Sequence, residues 1–186
     1  VGHDEPTSAA TDAVTASAIR RRRVMILGMS IETFTQVHVI ISLIGIVTGL
    51  VVLRGMLATG DSAGWTAIFL VTTVLTSVTG FFFPRDHILP SHVVGVISLA
   101  ALAVALVALY VQRLRGRWRG LYVGSAVLAL YLNVFVLVTQ SFMKVPFLNR
   151  LAPTQSGPPF AIAQLIVLAI FVVLGVRAVK RFHPAA

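Results

Sequence analysis

The chain has 186 residues, 57% of them hydrophobic and 11% charged, with a mean hydropathy of +0.92. So little charge cannot cover a soluble domain of this length, and the formal charge of +9 sits in clusters at the ends of apolar runs; both facts point to a membrane protein and away from nucleic-acid binding. With no cysteine in the chain, disulfides, thiolate metal sites and cysteine nucleophiles are excluded.

Residues 1–30 read as a disordered, basic N-terminal tail. Its first nineteen residues are rich in Ala, Ser, Thr and acid without an apolar period, and Arg20, Arg21, Arg22 and Arg23 follow. Charges placed after the small residues are in the wrong order for a signal peptide. Met25 and Met29 stand just ahead of the first apolar run, so one of them is the expected native start and residues 1–24 are expected to be foreign to the protein.

From 31 to 183 the pattern predicts a helical membrane domain, with apolar runs at about 34–53, 65–83, 92–111, 121–139 and 160–176. Each run is long enough to cross roughly 30 Å of hydrocarbon at about 1.5 Å per residue. The runs are continuous, without the alternation of a membrane barrel. The expected fold is therefore an all-α integral membrane protein of five transmembrane helices, four in an up-down bundle and a fifth packed beside them. Between the last two runs, Pro146, Pro153, Pro158 and Pro159 predict the end of the fourth helix and a semi-rigid loop on the membrane face.

Cation counting gives an orientation. One face carries Arg54, Arg113, Arg115, Arg117, Arg119, Arg177, Lys180 and Arg181; the other carries Arg85, Lys144 and Arg150. The richer face is expected in the cytoplasm, with the N-terminus outside and the C-terminus inside a bacterial inner membrane. Arg20–Arg23 would nearly even that count, a further reason to set the tail aside. The alternation in Arg113–Arg119 reads first as an orientation signal held by anionic headgroups, and only second as a docking loop for an acidic partner.

Small and polar residues mark the packing faces, since helices in lipid approach through small side chains. The stripes are His38, Ser42, Gly45 and Gly49; Thr66, Thr73, Ser77 and Gly80; His92, Gly95 and Leu99; Ala126, Ala129, Asn133 and Gln140; and Gln164 with Gly175. Phe81, Phe82, Phe83, Trp65, Trp118 and Tyr122 fall at run ends, as interfacial anchors do.

The larger polar side chains collect at the outer face: Glu32, Gln36 and His38 on the first run, Arg85, Asp86, His87 and His92 around the hinge after the second, and Gln140 and Gln164 on the last two. Such groups near hydrocarbon are a site by default. His38, His87, His92 and Asp86 are the candidate metal ligands, and His38, His87, His92, Gln36, Gln140 and Gln164 the candidate cofactor contacts. Two histidines on facing helices suit b-type haem, and a His with an amide suits a quinone carbonyl. The expected function is an accessory or redox-associated subunit without catalysis of its own. Its expected partners are membrane lipid and a larger membrane complex or further copies of itself. A purely structural or assembly subunit is the alternative, and small-solute transport is the weakest reading. Neither GxSxG nor a carboxylate pair supports hydrolysis.

Overall fold

In hydrocarbon a backbone must bond to itself, and an apolar run does so as a helix. The computed structural model describes residues 25–58, 63–84 and 90–183, and there the apolar runs are helical apart from Phe81–Phe83. The chain divides into two units, residues 1–37 and 38–186.

In the first unit, Met25–Ile26 (β1) pairs antiparallel with Met29–Ser30 (β2). Leu27 and Gly28 both take positive φ, 51° and 78°, as a two-residue hairpin turn requires. Ser30 then caps the first helix, its Oγ accepting from the Thr33 N–H at 3.2 Å, and Glu32 supplies an acid to the first turn. The expected tail thus ends in an ordered hairpin; residues 1–24, with the proposed start sites' upstream segment, lie outside the described residues.

The described helices are α1 (Ile31–Ala58), α2 (Ala63–Gly80), α3 (Pro90–Leu106), α4 (Trp118–Lys144), α5 (Pro146–Leu151) and α6 (Pro158–Arg181). α1, α4, α6 and α3 with its continuation to Val111 are long and apolar enough to cross a membrane; α2 is a shorter apolar helix. The fold is all-α, with four such spans and α2 as the shorter fifth.

Within the second unit the spans alternate in direction. His38 near the start of α1 meets Thr79 near the end of α2, and Phe81, just after α2, meets His92 at the start of α3. Gln164 early in α6 reaches Thr139 late in α4. The core is a column of Val52, Met56, Phe69, Leu102, Val123 and Leu130, continued by the alanines 105, 108, 129 and 178. α1 enters this column through glycine: a Cβ on Gly49 would lie 2.6 Å from Leu130 Cδ1 and 2.8 Å from the Phe69 ring.

The expected packing faces are largely the buried ones, although Gly80 is exposed. Thr66, Thr73, Ser77, Ala126, Ala129, Asn133 and Gln164 are all buried, and Gly95 and Gly175 lie against Phe81 and Val127. Four details differ from expectation. α2 stops at Gly80, three residues early, because Pro84 cannot follow within a helix and Phe81 and Phe82 bond back to Val78 and Thr79 in a turn. The end of α3 opens into a π-helical turn, Val107–Val111, closed by Gln112 N–H to Val107 O at 2.9 Å. The proline-rich stretch is not a loop throughout: Pro146 and Pro158 start α5 and α6, where a missing N–H costs nothing. Tyr122 is no interfacial anchor, being 2% exposed inside the core beside Phe182.

Candidate functional site at the turn after α2

α2 carries polar residues on two sides. Thr66, Thr73 and Ser77 face inward; Thr72, Thr76 and Thr79, at spacings of four and three, form a second row toward α1. Of the second row, Thr72 and Thr79 are satisfied by their own helix, while Thr76 Oγ1 is buried without a partner. Thr72 donates to Ile68 O and Thr79 to Leu75 O, at 2.7 and 2.6 Å, so a hydroxyl among apolar neighbours costs little.

At the end of that row His38 Nδ1 lies 2.7 Å from Thr79 Oγ1. The Thr79 hydroxyl has one proton, and two oxygens 2.6 Å apart with no proton between them repel, so that proton points at Leu75 O. Thr79 Oγ1 can then only accept, and Nδ1 of His38 is the donor. In the neutral ring Nε2 is left as a bare lone pair. The ring is half-buried and stands edge-on to Phe83, centroids 5.1 Å apart.

His92 reaches the same turn from α3, its ring 5.7 Å from that of Phe81. Phe81 in turn fills the space over Gly95, where a Cβ would come within 2.9 Å of it. The turn Phe81–Phe83 thus gathers imidazoles from α1 and α3 that lie far apart in sequence. Lys144, at the end of α4, is within electrostatic reach of His38. A positive charge there opposes a metal cation at the ring, and the Nε2 lone pair suits a neutral ligand with a hydroxyl to donate.

The other predicted site residues are dispersed. Gln164 is buried on α6, donating Nε2 to Phe135 O at 3.1 Å and to Thr139 Oγ1 at 3.2 Å, while its Oε1 is buried with no partner. It joins α6 to α4 and has no bond to a histidine. Gln140 is half-buried on α4, and Gln36 is exposed in the first unit. His87 and Asp86 lie outside the described residues. Among the described residues no group of three or more His, Cys, Asp or Glu is placed to hold a metal ion.

Thr79, Phe81 and Phe83 complete the site, and none of them stood among the candidate contacts. The signal for Thr79 was present in the Thr72–Thr76–Thr79 spacing, but the stripe through Thr73 and Ser77 explained α2 equally well. No family model matches the chain, and no curated protein and no solved structure matches it. The chemistry of the site therefore rests on its own residues.

Proposed function

We propose that the chain is a small multi-pass membrane protein that serves a larger membrane assembly without catalysis of its own, and that its His38 end takes the head of a lipid-soluble redox ligand of the quinone class. One observation carries this reading: His38 is oriented by Thr79 through Nδ1, so that its Nε2 lone pair has no hydrogen-bond partner among the described residues, beside the aromatic wall of Phe83. A ring-shaped apolar ligand with a hydroxyl that donates to Nε2, as the reduced quinol form does, matches a half-buried imidazole beside Phe83. Bis-imidazole haem ligation is the less supported form, because the His38 and His92 rings are each packed against a different phenylalanine. The charge distribution supports an orientation with the Arg113–Arg119 end in the cytoplasm of a bacterial cell and the His38 end outside.

A purely structural role has one observation in its favour: α6 commits only Gln164, Phe171 and Ala178 to the core along its whole length. One purification separates the readings. Quinone extracted with the wild-type protein and lost from His38→Ala supports the proposal. A reduced-minus-oxidised α-band lost from both His38→Ala and His92→Ala replaces it with b-type haem. Colourless, quinone-free protein that comes out with a larger complex leaves the structural role.

A further inference from the structure

We propose that the opposite end of the bundle, where α4 begins and α6 finishes, is a seat for the phosphate headgroup of an anionic membrane lipid. Two stretches some sixty residues apart in sequence meet there. A Cβ on Gly120 would lie 3.9 Å from Val179, the rings of Tyr122 and Phe182 stand 5.9 Å apart, and Ala178 between them is fully buried. That contact brings Arg117 and Arg119 at the head of α4 alongside Arg177, Lys180 and Arg181 at the tail of α6. All of these are exposed except Arg119, which is half-buried.

Nothing described in the second unit neutralises them: from His38 to His183 the described residues include no Asp or Glu. The two helix ends differ in what they need. Lys180 and Arg181 suit the negative end of α6, whereas Arg117 is the N-cap residue of α4 and Arg119 lies in its first turn, with no acid there. Cations at a helix N-terminus face its positive pole, which disfavours them. An anion bound among them reverses the sign, since the α4 dipole and all five cations then favour it.

The surroundings select a lipid as the source of that anion. Both helices leave the cationic end as apolar spans, with Leu121 and Leu128 on α4 and Val172 and Val176 on α6 exposed along the way. A headgroup at the cations would lay its acyl chains along those residues, and each Lys or Arg near an anionic bilayer surface strengthens the hold. A free phosphate would use the cations and ignore the track. An acidic protein segment would do the same from the water side.

The test is lipid retention by the full chain in detergent, read by native mass spectrometry. Delipidated protein is titrated with phosphatidylglycerol, cardiolipin or phosphatidylcholine, each with and without inorganic phosphate. The two anionic lipids are expected to bind roughly tenfold or more tightly than phosphatidylcholine and to resist millimolar phosphate. The Arg119→Gln/Lys180→Gln/Arg181→Gln triple variant is expected to lose that preference, while Arg54→Gln/Arg113→Gln/Arg115→Gln, with the same change of charge, keeps most of it. Thermal melting of both variants checks that they fold. Equal binding of all three lipids overturns the seat, and so does equal loss in the two triple variants, which would mean a diffuse field of charge. Displacement by phosphate, or polyglutamate binding without lipid preference, overturns the lipid as occupant.

Discussion

His38 acts through the direction of one hydrogen bond. Because Thr79 spends its proton on Leu75 O, the imidazole must give its own from Nδ1, and the lone pair on Nε2 becomes the site's chemical handle. In Thr79→Val the acceptor is gone, and the neutral ring is expected to shift toward the Nε2–H tautomer. Nitrogen chemical shifts of histidine-labelled protein read this directly; shifts that do not move would refute the bond's role. Gln164 shows the opposite economy. Its amide joins two helices through Nε2 but leaves Oε1 buried and unpaired. Losing the bonds costs and losing the orphan acceptor gains, so Gln164→Leu is expected to change stability by no more than about 1 kcal/mol in a denaturation series.

Among the elements, α1 depends on glycine for its place in the bundle. At Gly49 a methyl group would press on Leu130 and on Phe69, which is itself 1% exposed and cannot retreat. Gly49→Ala is expected to cost about 1–3 kcal/mol by overpacking. Gly124 on α4 has nothing within 4 Å of its Cβ position, so Gly124→Ala is expected to be neutral or slightly stabilising through helix propensity. Comparing the two melting temperatures in one detergent separates close packing from a general glycine effect. The link between α3 and α4 carries a different tension. Arg113 and Leu114 hold positive φ, 49° and 58°, to turn the chain after the π-helical turn and return Leu114 to the core. Side chains in that region cost about 1–3 kcal/mol each. Arg113→Gly is expected to raise the melting temperature, because the arginine is exposed and only its backbone strain is removed.

At the scale of the molecule, the two ends of the bundle are chemically unlike. One carries the aromatic turn with His38 and His92, the other the arginines of the α3–α4 link and of the α6 terminus. The absence of native cysteine makes this polarity accessible to labelling, since any introduced cysteine is the sole thiol. Cysteines at Pro84 and Ser156 are expected to react with an impermeant reagent from one side of the membrane, and those at Arg115 and Arg181 only from the other. Labelling of Pro84 and Arg115 from the same side would break the alternation of spans on which both proposed sites depend.

Much of this was legible in the chain. Long uninterrupted apolar runs can satisfy their backbone in lipid only as helices, so their number and order followed from hydropathy alone. Small-residue spacing identified Gly45, Gly49, Thr73, Ser77, Ala126, Ala129 and Asn133 as packing residues because close approach requires them whatever the neighbour is. The sequence alone could not select which of two threonine rows on α2 would meet α1, since each has helical spacing and the choice depends on the partner surface. Nor could it show that Tyr122 turns inward to Phe182, or that the helices bearing Arg119 and Arg181, expected at one face, pack against each other. Tertiary packing decided these points, because a side chain's hydrogen-bond partner or neighbouring charge comes from another helix, and nothing local in the sequence encodes which face that helix will cover.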